Sequence, residues 1–238
     1  VSEHKGRSPW VPGIVGGVLG SVLTAGLLVV AAPQWLGPRL VREALVEQPD
    51  ILVQASDALR DRQYEPVLTA YRQPLETAFA SSWKGSAKPD VTLVEFFDYA
   101  CTYCKASNPD IERLIAEDKG LRVVYREFPI LGQASLDAAK VSLAASRAGR
   151  FAQFHDALYA AGRPGPETIA LAARAAGIPD AAAADPAAEA ELKRNYQMAQ
   201  QLGANATPLF IIGNKVLNGA VGYDALKEAI AAARRTKQ

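Results

Sequence analysis

The spacing of apolar and polar positions changes character several times along the chain. No charged residue occurs between Ser8 and Pro38, and the apolar heart of that stretch, Val11 to Ala32, is 22 residues long. As a helix it would run roughly 33 Å against roughly 30 Å of hydrocarbon, which predicts a membrane span. After Gly37-Pro38, Leu40, Val41, Ala44 and Leu45, then Ile51, Leu52, Ala55 and Leu59, recur at spacings of three and four, the signature of helices with one apolar face. Pro49, Pro66 and Pro74 are expected to cut this region into separate helical pieces, because proline is costly beyond a first helical turn. Composition marks Ser81 to Asp90 as a linker. Val91 to Phe97 is dense in branched and aromatic residues and predicts a central strand. Cys101 to Asp118 has helical spacing at Ile111, Leu114 and Ile115, with a kink expected at Pro109, and Leu121 to Phe128 predicts a second strand. Three or four helices follow between Ser135 and Leu202, punctuated by Gly149, Arg163-Pro164-Gly165-Pro166, Gly177 and Asp185-Pro186. Leu209 to Ile212, Gly213-Asn214 and Val216-Leu217 predict a hairpin, and Tyr223 to Arg235 a closing helix. The expected organisation is an anchor over 1–37, a helical extension over 38–85, and an α/β domain over 86–238 with a helical insertion at about 135–202.

Charge removes several function classes. Lys and Arg number 26 against 25 Asp and Glu, so the formal charge of +1 argues against a basic face devoted to nucleic acid. Two cysteines cannot staple a disulfide scaffold. No metal and no cofactor are expected. A cleaved signal peptide would also be basic and then apolar, with Val30 and Ala32 as small residues before a cut. Proline at 33 and the length of the apolar run favour an uncleaved anchor instead. Lys5 and Arg7 before the span are matched by Arg39 and Arg42 after it, so charge does not orient it. The short head and long tail place the globular part outside the cytoplasm, on a single-pass anchor in the cytoplasmic (inner) membrane, where disulfide chemistry is possible.

The two cysteines stand as Cys101-Thr102-Tyr103-Cys104 where a strand gives way to a helix inside a strand–helix–strand unit, the setting in which this spacing indicates a redox dithiol. At a helix start the backbone N–H groups are unpaired and the macrodipole is positive, so a thiolate on Cys101 is favoured and Cys101 is the expected nucleophile. Cys104, three residues on and on the same helix face, is placed to resolve the mixed disulfide. Strand alternation sets Glu95 on one face with Leu93 and Phe97, beneath the Cys101 end. A desolvated carboxyl there would have a raised pKa and could exchange a proton with Cys104; a solvated edge position is the alternative. Thr207-Pro208 heads the strand Leu209 to Ile212, where proline is tolerated. His155, among Phe151, Phe154 and Tyr159, is expected to be a packed helix residue rather than a ligand.

Taken together, these residues resemble the DsbA-like thiol:disulfide oxidoreductases of the thioredoxin superfamily. The resemblance covers roughly Asp90 to Arg235 and is carried by Val-Glu-Phe-Phe-Asp-Tyr leading into Cys-Thr-Tyr-Cys, by Tyr-Arg-Glu-Phe-Pro-Ile-Leu-Gly at 125–132, and by Ala-Thr-Pro-Leu-Phe-Ile-Ile-Gly-Asn at 206–214. It implies a thioredoxin-like α/β fold with a helical insertion, Glu95 as the buried acid, Pro208 as a cis-proline facing the cysteines, and Thr207 as a source of backbone hydrogen bonds to substrate. Thr102 and Tyr103 join them as substrate contacts; many members carry proline at the first of these positions and strong oxidants often carry histidine at the second, so a milder couple is implied. Residues 40–53 are similar to the amino-terminal extension of the suppressor-of-copper-sensitivity C (ScsC) branch, some members of which oligomerise through it.

The expected function is therefore an exported, membrane-anchored oxidase or isomerase. Its expected partners are exported proteins with cysteines, a membrane-bound redox protein that reoxidises or reduces the dithiol, and further copies of the chain through 38–80. The alternative from another class is a binding module in which Cys101 and Cys104 hold Cu(I) without turnover, for which Met198, the one methionine, lies far along the chain as a third soft ligand.

Overall fold

The computed structural model describes residues 38, 40–178 and 186–236. The expected span, Val11 to Ala32, lies outside these residues, and among the described residues no helix is long and apolar enough to cross a membrane. The chain divides into two units, one up to Leu59 and one from Arg60 onward. In the first, helix α1 (40–47) and the start of helix α2 (Asp50–Glu76) leave Leu40, Val41, Val46, Leu52, Val53 and Leu59 each more than half exposed.

Within the second unit the expectation of broken helical pieces is corrected, for α2 runs on without interruption through Pro66 and Pro74. Tertiary contacts offset the backbone cost of proline, which is about 3 kcal/mol in a helix interior. Leu68 and Leu75 are buried in an apolar cluster with Val94, Phe96, Val124, Leu209, Ile211 and Met198. The buried guanidinium of Arg126 donates to the carbonyls of Pro74, Leu75 and Thr77, so the unpaired carbonyls at the helix end meet a cation. Glu191 Oε1, 2.5 Å from Arg126 Nη1, balances that charge.

A five-stranded sheet forms the centre, in the order β1-β3-β2-β4-β5. Strand β2 (Val91–Phe97) is buried along its whole length, Thr92 and Glu95 included, as befits a central strand covered on both faces. It pairs in parallel with β3 (Leu121–Glu127) after the crossover helix α3 (Thr102–Glu117), and antiparallel with β4 (Leu209–Ile212), which turns into β5 (Lys215–Asn218). At that turn Gly213 has φ +57° and a Cβ there would lie 2.9 Å from Ala233, so both backbone and packing demand glycine. The stretch expected as a linker contributes the edge strand β1 (Trp83–Gly85), antiparallel to β3. Three residues are too few to display a period, which is why the sequence pattern does not announce it.

Four helices fill the insertion among the described residues: α4 (Gln133–Arg147), α5 (Phe151–Ala161), α6 (Pro166–Ala175) and α7 (Pro186–Gln201), with α8 (Tyr223–Arg235) closing the chain. Alternation along the strands separates two cores. Leu93, Phe97, Val123, Tyr125 and Phe210 face α3, α5, α6 and α8, while Val94, Phe96, Val124 and Leu209 face α2 and α7. The cysteines belong to the first of these faces.

Candidate active site

Cys101 is the N-cap residue of α3, extended at φ −78° and ψ 117°, with no side chain capping the helix. Its own backbone N–H donates to Asp98 O at 3.0 Å, and its carbonyl accepts the first helical bond from Lys105 at 3.1 Å. The sulfur therefore stands at the positive end of the helix dipole. The thiol of Cys101 donates to the Thr207 carbonyl, with Sγ 3.2 Å from the oxygen. The Thr207–Pro208 peptide bond is cis, the isomer that the family resemblance implies. Thr207 thus lies against Cys101, 106 residues apart in sequence, because β4 and β2 are neighbours in the sheet.

The two thiols are free and differ in access: Cys101 retains 7% of its exposure and Cys104 none. Burial, and then the carboxyl of Glu95, push the Cys104 thiol far above the ordinary cysteine range. Glu95 is itself 1% exposed, and neither carboxyl oxygen has a hydrogen-bond partner. That resolves the choice between a buried and an edge position in favour of burial. Desolvation raises its pKa to about 8, against the opposing charge of Lys84 and with help from Cys101. Thr102 and Tyr103 are exposed beside the cysteines, Tyr103 by 65%. All seven candidate residues, Glu95, Cys101, Thr102, Tyr103, Cys104, Thr207 and Pro208, gather at this end of β2, α3 and β4.

Two residues that sequence reasoning passes over also shape the site. Asp98 is buried and its carboxylate accepts from the backbone N–H groups of Ala100 at 2.7 Å and of Ile130 and Leu131 at 2.9 Å each. It thereby ties the turn after β3 to the approach into Cys101; its signal was only a charged residue closing an apolar strand. Lys84, in the unrecognised edge strand, supplies the cation that acts on Glu95. His155 is buried and packs against Phe97, Tyr99, Tyr125, Phe151 and Tyr159, as a core residue should. A cavity of about 860 Å³ touches neither cysteine, being lined by Tyr71, Pro74, Phe79, Arg126, Glu191 and Met198 on the opposite side of the sheet.

The family model of the DSBA-like thioredoxin domain matches residues 92–231, more than half of the chain and the whole stretch from β2 into α8. The chain belongs to the DSBA-like thioredoxin domain family. Among solved structures, this DSBA-like chain is similar to a periplasmic thioredoxin-like protein from Salmonella enterica serovar Typhimurium, at 28% identity and a TM-score of 0.65, over 70% of this chain and 97% of that one. It is similar also to the catalytic domain of Proteus mirabilis ScsC, at 25% identity and a TM-score of 0.67, over 71% of this chain and 98% of that one. A Na(+)/H(+) antiporter, NhaA 3 of Salinispora tropica, is 32% identical over 79 residues, which are 32% of this chain and only 12% of the antiporter. The DSBA-like domain accounts for the thioredoxin-like α/β sheet, the helical insertion and the position of the dithiol at the start of α3.

Proposed function

We propose that the chain is a thiol:disulfide oxidoreductase acting on cysteines of exported proteins through Cys101 and Cys104. The observation that carries this reading is the asymmetry of the pair: Cys101 caps α3 in contact with the Thr207 carbonyl, while Cys104 is wholly buried and coupled to an unpartnered carboxyl. From the reduced form, the Cys101 thiolate attacks a client disulfide, forming a Cys101–client bond and expelling the other client sulfur as thiolate. Cys104 then passes its proton to the Glu95 carboxylate, and its sulfur attacks Cys101 to release the client thiolate and close the Cys101–Cys104 disulfide. Run backwards, the same steps oxidise a client dithiol. Exposed Thr102 and Tyr103, with the backbone at Thr207 and Pro208, form the surface on which an extended client segment lies.

The periplasmic relative supports an extracytoplasmic site, and the anchor expected at Val11 to Ala32 would hold it at the inner membrane. A membrane-bound redox protein would then reset the dithiol. The exposed apolar residues of α1 and early α2 support self-association through 38–80. Several active sites around one space favour isomerisation of captured clients, whereas a monomer suits oxidation. Leu68 and Leu75 belong to the domain core, so the informative truncation begins at Arg60. The full exported region is expected to be multimeric and to refold scrambled substrates, the truncation to be monomeric and only to oxidise. Equal activities of two monomers would refute the isomerase, and absence of catalysis in both would refute the enzyme.

A further inference from the structure

The buried acid has a charged neighbour that enters from an unexpected direction. Lys84 in β1 pairs with Val123, and Tyr125, two residues along β3, pairs with Glu95 in β2. Period-two alternation puts all four on one face of the sheet. The Lys84 ammonium lies 5.8 Å from the centre of the Tyr125 ring and is the dominant charge acting on Glu95. It donates to Glu112 Oε1 of α3 at 2.6 Å and to Asp156 Oδ1 of α5. Nδ1 of neighbouring His155 lies 3.1 Å from that same Asp156 oxygen, and the His155 ring centre is 4.8 Å from that of Tyr125. Both Glu95 oxygens, the Tyr125 hydroxyl and His155 Nε2 are buried without hydrogen-bond partners. Lys84 therefore connects the acid, on which its charge acts, to Asp156, which it holds in an ion pair and whose side chain is 62% exposed.

We infer that Asp156, reaching from the helical insertion to Lys84, is a positioning residue for the buried acid: by holding the ammonium and offsetting its charge, it sets how readily Glu95 takes the Cys104 proton. The inference rests on the reading of Glu95 as the proton carrier. The other titratable groups that act on or respond to Glu95 are Cys101 and Cys104 at the start of α3, Tyr125 and Glu127 of β3, and Tyr159 of α5. None of these is a second cation, so the Lys84 charge has no substitute among them. In the resolving step the Cys104 S–H bond breaks, the proton passes to a Glu95 oxygen, a Cys104–Cys101 bond forms, and the client sulfur leaves with the electron pair of the broken mixed disulfide. The step therefore needs Glu95 as carboxylate and accelerates as pH rises through its pKa, about 8 in the native chain.

Removing the Asp156 charge leaves Lys84 offset by Glu112 alone, which strengthens the positive field on Glu95 and preserves its carboxylate to lower pH. Removing the Lys84 charge does the opposite. The test uses the full reduced chain mixed rapidly with a dithiobis(nitrobenzoate) probe, whose first coloured thiolate reports attack by Cys101 and whose second reports resolution by Cys104. Asp156→Asn is expected to move the pH midpoint of the second release downward, and Lys84→Met to move it upward by about one unit. Glu95→Gln is the control, expected to remove the midpoint. If Glu95→Gln leaves the midpoint in place, the proton-carrier reading fails and the inference with it. If Glu95→Gln removes it but Asp156→Asn leaves it unmoved or moves it upward, the role of Asp156 alone is overturned. Should Lys84→Met fail to fold, Asp156→Asn decides by itself, because its exposed side chain is replaced without opening the core.

Discussion

Cys101→Ser is expected to reduce disulfide exchange to the uncatalysed rate, while Cys104→Ala is expected to keep the first attack and to accumulate client chains bonded to Cys101. The difference follows from access and from the helix. Only Cys101 retains any surface, and it stands at the positive end of α3, where an anion is favoured. Cys104 is held protonated by burial and by the Glu95 carboxyl, so it is expected to react only with a disulfide already delivered to its neighbour. Alkylation against pH, with non-reducing separation of trapped complexes, checks both halves. Complexes on Cys104 in the Cys101→Ser chain would reverse the assignment of roles.

Glu95→Gln is expected to stabilise the fold at alkaline pH, and the sign follows from proton linkage. Unfolded, Glu95 ionises near the ordinary glutamate value of 4.5; folded, it holds its proton up to about pH 8. Between these values the native state binds more protons than the unfolded one, so stability falls as pH rises through the window. The full difference is on the order of 5 kcal/mol, from about 1.4 kcal/mol per pKa unit. Glutamine carries no such cost. Unfolding midpoints of the two chains are expected to agree near pH 4.5 and to separate in favour of Glu95→Gln towards pH 9. Equal midpoints throughout would mean that Glu95 is solvated.

Much of this arrangement was legible in the residues. The density of branched and aromatic residues from Val91 to Phe97 marks a central strand, and a Cys-x-x-Cys where that strand gives way to a helix marks the dithiol. Period-two alternation also put Glu95 on the face that carries the cysteines. What escaped depends on contacts between segments far apart in sequence. Pro66 and Pro74 argue for helix breaks, and nothing nearby shows that Leu68, Leu75 and Arg126 hold α2 together from across the domain. Trp83 to Gly85 has no period to read, so Lys84 looked like linker, although its partners Glu112 and Asp156 lie 28 and 72 residues away. Asp98 likewise declares itself only when the amides of Ile130 and Leu131 converge on its carboxylate.

Equilibrating the full chain against glutathione buffers of graded thiol-to-disulfide ratio, with and without Cu(I), tests the central claim most directly. Alkylated masses report the state of each cysteine, and a reduced client reports transfer. Cys101 and Cys104 are expected to lose their alkylated forms together as one internal disulfide, to pass that disulfide to the client, and to surrender Cu(I) to glutathione. Met198, the only further soft ligand, packs on the opposite face of the sheet and offers the metal no third bond. A stoichiometric Cu(I) complex that survives glutathione, in a chain that forms no internal disulfide and transfers none, would contradict the account.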